Sequence, residues 1–180
     1  GDVITAAAVG DYSPNTDLLL LEYLAVLPEY RGKGSGSRLL KAAFAQWREL
    51  MHPGAFLAEI QRPDGHQGSA EYGDPARRLK FYHKRGLKAL ALPYYQPALS
   101  PELAAVPDLL LGVLVEDESW VQGNQFVAGE RLAALLRERN PEPTAAELPA
   151  WQALLDACAG PIELFDLGDF ARVPRSGPIG

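Results

Sequence analysis

Leu18-Leu-Leu-Leu-Glu-Tyr-Leu-Ala-Val26, a turn with Pro28, and then Arg31-Gly-Lys-Gly-Ser-Gly36 form the stretch whose reading decides the fold. The apolar run reads as a strand and the glycine-rich run as the opening of a helix. Glycines at 32, 34 and 36 let the backbone approach a ligand closely, and the helix after them carries unpaired N–H groups and the positive end of its dipole. Such a place favours phosphate. Arg31 and Lys33 set cationic side chains beside those amides, the first as a fork and the second as a point charge. The reading is a strand, turn and helix that hold a pyrophosphate.

Competing motifs fail on spacing. A P-loop needs glycine where this chain has Leu27, and Ser or Thr where it has Gly34. The dinucleotide fingerprint puts its last glycine on Leu39 or Ser37, depending on where it starts. A serine-hydrolase elbow needs glycines where Ser35 has Lys33 and Ser37.

What fits is Arg31-x-x-Gly34-x-Gly36 directly after Leu24-Ala25-Val26. This pattern resembles motif A of the GCN5-related N-acetyltransferase (GNAT) family. A second segment, Arg78-Leu-Lys-Phe-Tyr82-His-Lys-Arg-Gly86-Leu, resembles the family's Phe-Tyr-x-x-x-Gly-Phe, with Leu87 for the usual Phe. The resemblance implies an α/β fold with a mixed central sheet of the acyl-CoA N-acyltransferase type, and acetyl-CoA as co-substrate without a metal. It implies that the backbone of Leu24, Ala25 and Val26 binds the pantetheine arm where two parallel strands splay. Arg31, Gly32, Lys33, Gly34, Ser35, Gly36 and Ser37 would hold the pyrophosphate. The strands and helices that usually precede this hairpin in the family are not seen ahead of it. Either the sequence is a fragment, or the C-terminal part or another copy of the chain, as in a homodimer, supplies equivalents.

The chain has 180 residues, 47% hydrophobic and 22% charged, with a net charge of −6. That suits one soluble domain and gives no broad basic face for nucleic acid. The longest apolar runs fall short of the ~20 residues of a membrane helix. No targeting segment is evident, and a lone cysteine, Cys158, reads as a small core hydrophobe, so the default location is the cytoplasm.

Asp2 to Val9 reads as a strand closed by a turn from Gly10 to Asp17, forming a hairpin with Leu18 to Val26. Leu39, Leu40, Ala43, Phe44 and Trp47 recur at helical spacing up to His52-Pro53-Gly54, and Ala55 to Ile60 reads as a parallel strand. Gln61 to Pro75 reads as a lid on the substrate side. Asp74-Pro75 caps a helix through Lys84, ended by Gly86. Leu87 to Leu92 and Leu109 to Val115 read as a hairpin with a long loop. The segment 1–115 is thus a coenzyme-binding core, and 116–180 a helical extension packed on it or on a partner subunit. That extension reads as helices over 123–139 and 146–159, a short strand from Ile162 to Leu167, and a loose tail from Arg172.

Acetyl transfer to an amine by direct attack needs a base for the amine and an acid for the departing thiolate. Glu22 is the first candidate base, interrupting an apolar strand on a face it would share with Leu20 and Leu24. Glu59, in the parallel strand, is the second. Tyr82 is the candidate acid, because the resembled segment puts its hydroxyl near the coenzyme sulfur. A solvated Glu22, a salt-bridged Glu59 and a merely packed Tyr82 are the plainer readings. Tyr94, Tyr95 and Gln96 read equally as turn packing or as lining of an acceptor pocket. His52, His66 and His83 form no ligand spacing, which speaks against zinc. The expected partner is an amine-bearing acceptor, with no nucleic acid and no membrane. A non-catalytic coenzyme A-binding module, or a domain for another phosphorylated ligand, remain alternatives.

Overall fold

A computed structural model describes residues 3–68, 73–98, 100, 102–140 and 142–179. Strand β1 (Ala6–Ser13) pairs antiparallel with β2 (Leu18–Val26), and after helix α1 (Ser35–Met51) strand β3 (Ala55–Gln61) lies parallel to β2. Helix α2 (Pro75–His83), β4 (Lys88–Leu90) and β5 (Leu109–Val115) follow. Then come the short β6 (Val121–Gln122) and β7 (Gln125–Phe126), helices α3 (Gly129–Arg139) and α4 (Leu148–Ala157), and β8 (Ile162–Asp166). The strands form one mixed sheet in the order β1-β2-β3-β5-β4-β8-β7-β6.

Two apolar clusters cover the two faces of this sheet. Leu18, Leu20, Ala55, Leu57, Leu109 and Leu111 face α3 and α4, which contribute Leu132, Leu135, Leu136, Trp151 and Leu154. Leu19, Leu21, Phe56, Ala58 and Ile60 face α1 and α2, which contribute Leu40, Phe44, Leu79 and Tyr82. The alternation along β2 and β3 follows from the period of two in a strand, and both faces being covered explains the unbroken leucine run. Phe44 stacks on Phe56 at 4.2 Å between centroids, tying α1 to the sheet.

Several expectations are corrected here. The first strand begins later and runs through Ser13, because Gly10 is not a turn: a Cβ there would lie 2.8 Å from Leu19 and 3.0 Å from Trp47. Gly10 admits those side chains against the backbone of the strand. Pairing of β1 with β2 shifts between Val9 and Gly10, which face Tyr23 and Leu21, so Glu22 is the extra residue of a bulge. The bulge turns the strand. Leu24 packs with the α1 and α2 cluster, not on the face of Leu20 as a regular strand would require.

The segment beyond Glu116 is not helical from 123: Gly123 takes φ +61° in a tight hairpin and Phe126 lies on a strand, so α3 starts only at Gly129. The tail is not loose either. Arg175 bridges Asp64 and Asp108, Val173 is buried, and the nearly inaccessible Arg62 donates to the carbonyls of Phe170 and Val173. Prolines and glycines made it look mobile, whereas its fixing partners lie more than sixty residues away in sequence. Thr144 and Glu147 exchange hydrogen bonds in the turn that leads into α4, and Cys158 is buried with its thiol pushed up to about 12 by burial. Asp2, Leu99, Pro101 and Pro141, and the middle of the expected lid at 69–72, lie outside the described residues.

Candidate functional site

The parallel register of β2 with β3 runs from Leu18↔Ala55 to Leu21↔Ala58. Beyond it, Tyr23 to Val26 keep their partners on β1, from Tyr23↔Val9 to Val26↔Ala6, while β3 continues against β5 to Gln61↔Leu109. The two strands therefore part at Glu22 and Glu59. Leu24, Ala25 and Val26 line one side of that opening, with one backbone edge given to β1 and the other turned towards it.

The glycine turn sits at the end of the parted strand. A short 3-10 turn, Pro28–Tyr30, leads into Gly32 at φ +76° and Gly34 at φ +78°. Residues with a Cβ reach that region only under strain. Gly34 is the N-cap of α1 and offers no side-chain acceptor to the amides of Ser35, Gly36 and Ser37. Arg31 donates to the Val26 carbonyl at 3.0 Å, and Lys33 lies over the Tyr30 ring. Two further cations converge here without having been named from sequence. Arg38 folds back to the Lys33 carbonyl and the Ser35 hydroxyl, and Arg85 donates to the Ser37 hydroxyl while stacking on Phe81. The turn thus sets cationic side chains beside the positive dipole end of α1, an arrangement that favours negative charge.

On the α3 side of the sheet the parting strands present the carboxylates. Glu59 accepts from the Tyr94 hydroxyl at 2.6 Å and from Gln96 Nε2 at 2.8 Å. Burial raises its pKa above the usual carboxylate range; the Tyr94 hydrogen bond works against this, the charge of Glu22 adds to it, and Arg139 and Gln96 oppose it. The Tyr94 hydroxyl, fully enclosed and beside Glu59, is pushed far above its ordinary range and so stays a donor. Glu22 is ion-paired to Arg139, which also holds Asp11 at 2.5 Å. A groove of about 420 Å³ runs beside this cluster between the hairpin and α3, lined among others by Asp11, Tyr12, Ser13, Glu138 and Arg139.

The structure thus brings Glu22 and Glu59 into one electrostatic cluster, and gives Tyr94 and Gln96 a partner that turn packing would not. Tyr82 stands apart from them, on the opposite face, buried among the α1 and α2 residues and edge-on to Phe81. Burial raises its hydroxyl pKa, partly offset by Arg78 and Arg85, so it stays protonated at neutral pH. Cys158 and the three histidines lie elsewhere, and no group of three or more metal-ligating side chains occurs among the described residues. Nor is any described helix long and apolar enough to cross a membrane.

A mixed sheet whose two parallel strands part beside a glycine-capped helix defines an α/β protein. The acetyltransferase (GNAT) domain pattern matches residues 1–88, just under half of the chain, so this segment is similar to that family's domain. Among solved structures, a GNAT-family protein from Bacteroides thetaiotaomicron is 20% identical, with a TM-score of 0.52 over 77% of this chain and 65% of its own. That likeness is one of fold. The ribosomal-protein-S18-alanine N-acetyltransferase of Escherichia coli is 17% identical with a TM-score of 0.43, over 62% of this chain and 61% of its own. A Salmonella typhimurium protein solved with its cofactor acetyl-CoA is 19% identical with a TM-score of 0.45, over 64% and 60%. This chain therefore spans less than two thirds of each of these three proteins. No curated protein matches it.

Proposed function

We propose that the chain is an N-acetyltransferase that moves the acetyl group of acetyl-CoA to a primary amine by direct attack. The observation that carries this reading is the end of β2–β3 pairing at Leu21↔Ala58, one residue before Glu22 and Glu59, on a strand that leads straight to the Gly34 helix start. Arg31 to Ser37 would bind the pyrophosphate, and the Leu24 to Val26 backbone would pair with the pantetheine amides, as strand edges do with extended ligands. The thioester then lies at the mouth of the opening, beside the carboxylates.

In the reaction, an amine N–H proton passes to a carboxylate of the Glu22–Glu59 pair, directly or through a water. The nitrogen bonds to the thioester carbonyl carbon, the carbon–sulfur bond breaks, and the departing thiolate takes a proton from the Tyr82 hydroxyl. Residues 1–115 act as the coenzyme-binding core, and 116–180 close the acceptor side through α3.

The test is calorimetric titration of the 180-residue chain with acetyl-CoA, with coenzyme A and ADP as controls, followed by thiol release across a panel of amines. Saturable binding that prefers the coenzymes, with amine-dependent thiol release, is expected. Binding without transfer would make the chain a coenzyme A-binding module, and no binding would overturn both readings.

A further inference from the structure

Glu22 and Glu59 are not equivalent, and the difference is set from outside the segment that the family pattern matches. Arg139, in the last turn of α3, reaches back across 117 residues of chain to bond Glu22, and across 128 to bond Asp11. Its guanidinium lies between β1 and β2 on the side where β2 leaves β3, and it is only partly exposed. The forked cation takes one carboxylate from each strand, so both are occupied, although its one positive charge offsets only part of their two negative ones. Among the described residues, Glu59 has no such cation on its oxygens. Its partners are the uncharged donors Tyr94 and Gln96, one on each oxygen, and each oxygen keeps a lone pair free.

Resting on the acetyl-transfer reading above, we propose that Arg139 is a positioning residue: by locking Glu22 and Asp11 as an ion-paired strap it leaves Glu59 as the carboxylate that takes the proton of the acceptor amine. The step balances simply. One N–H proton of the amine goes to a Glu59 oxygen as the nitrogen bonds to the acyl carbon, and Glu59 returns it to solvent after the product leaves. Tyr94 cannot take that proton, because its hydroxyl already gives its own to Glu59.

The charged and titratable groups facing Glu59 are few and opposed. Glu22 on β2 favours the protonated form, with Asp11 on β1 behind it; Arg139 on α3 favours the ionised form. After β4, Tyr94 and Gln96 donate, and on β5 the residue across the register is Leu111, which carries no charge. Arg139 is therefore a cation that opposes burial and Glu22 and holds the proton affinity of Glu59 down. Removing it should leave Glu59 with an uncompensated Glu22 and shift its titration upwards.

The experiment follows the Glu59 carboxyl by carbon-13 NMR over pH in the full chain, assigned by difference from Glu59→Gln. Arg139→Gln should raise its midpoint by about one pH unit, at the low end of what a neighbouring charge does to a carboxylate. Arg139→Lys should restore most of the shift, and Glu22→Gln should lower the midpoint. Circular dichroism and acetyl-CoA affinity should stay unchanged in all three. In activity, the acid limb of kcat/KM should move with the NMR midpoint. An unmoved midpoint in a folded Arg139→Gln protein overturns the proposal. Should that variant fail to fold, Glu22→Gln decides, since an unmoved midpoint there removes the coupling. If wild-type protein transfers no acetyl group, the acetyl-transfer reading fails, while the NMR arm still reports whether Arg139 governs Glu59.

Discussion

The two ends of the candidate site are built on different plans. The anion end is written in seven consecutive residues, Arg31 to Ser37, and its backbone needs, φ +76° at Gly32 and +78° at Gly34, are met by residue type alone. The acid end is gathered from β1, β2, β3, the loop after β4 and the last turn of α3: Asp11, Glu22, Glu59, Tyr94, Gln96 and Arg139. The first can be local because amides and a dipole need only a turn and a helix start. A carboxylate of raised proton affinity needs burial, and burial needs neighbours from several elements. The lesson is that binding chemistry can be compact in sequence where proton chemistry cannot.

The largest effect should come from breaking the acid end alone. With Glu59→Gln the amide keeps the size and can still accept from Tyr94, but takes no proton. kcat should fall by about 10² to 10⁴-fold, the range for a lost general base, with acetyl-CoA affinity unchanged by calorimetry. A rate within threefold of wild type would remove Glu59 from the chemistry.

The anion end should respond in the opposite coordinate. Gly34→Val forces a β-branched residue to φ +78°, and its Cβ would stand 3.3 Å from the Arg38 guanidinium. The left-handed backbone costs about 1–2 kcal/mol, so acetyl-CoA should bind about 5–30-fold more weakly, while kcat at saturation stays near wild type. Equal losses in both variants would mean that the two ends are not separable.

How much of this was legible in the sequence follows the same division. The strand Leu18–Val26, the helix stop at His52 and the parallel partner at Ala55 were readable, because hydrophobic period and turn residues are local signals. Glu22 and Glu59 stood out as charges inside apolar strands. That Glu22 is a bulge residue was not readable, since the bulge is defined by its register with Gly10 across the hairpin. Arg139 carried no signal at all: a cation in the last turn of a helix reads as dipole complement, and its partners are 117 and 128 residues away. The ion-pair web of buried Arg62 with the more exposed Asp64, Asp108 and Arg175, which fixes the tail, was hidden for the same reason.

That web also gives the acid end a counterpart in stability. Burial pushes the Asp64 and Asp108 carboxyls up, but hydrogen bonds and charges from Arg62 and Arg175 leave both below the ordinary range. Depressed carboxyls stabilise the fold above their unfolded pKa, and that contribution is lost as pH falls through the folded values. Arg175→Gln should therefore flatten the fall of Tm on the acid side, below about pH 4 where free aspartates titrate. An unchanged Tm–pH slope would show that the tail strap carries no linked protons.

Tyr82→Phe sharpens the comparison from the sheet's other face. Its hydroxyl is proposed to protonate a thiolate, and a thiol of pKa about 8.5 leaves readily without help. The loss in kcat should be about tenfold or less, well short of the Glu59 effect. A loss as large as that of Glu59→Gln would make expulsion of the thiolate, and not deprotonation of the amine, the step that the site is built for.

The smallest effect, and the most specific, belongs to Tyr94→Phe. The Tyr94 hydroxyl donates to Glu59 at 2.6 Å, which favours the ionised carboxylate. Removing the donor leaves burial and Glu22 less opposed, so the proton affinity of Glu59 rises further. The acid limb of kcat/KM should shift upwards by about half a pH unit, with the plateau rate nearly unchanged, because Gln96 still holds the other oxygen. The sign for stability follows from the same shift. A carboxyl whose folded pKa lies above its unfolded value makes the folded state bind the extra proton, so its contribution is present below the unfolded pKa and is lost as pH rises through the folded one. Tyr94→Phe widens that window at its upper edge, so the Tm of the variant relative to wild type should fall as pH rises through the folded pKa of Glu59. A limb that moves down, or a variant Tm that rises relative to wild type as pH rises, would mean that Tyr94 stabilises a protonated Glu59, and the carboxylate would then be an acid and not a base.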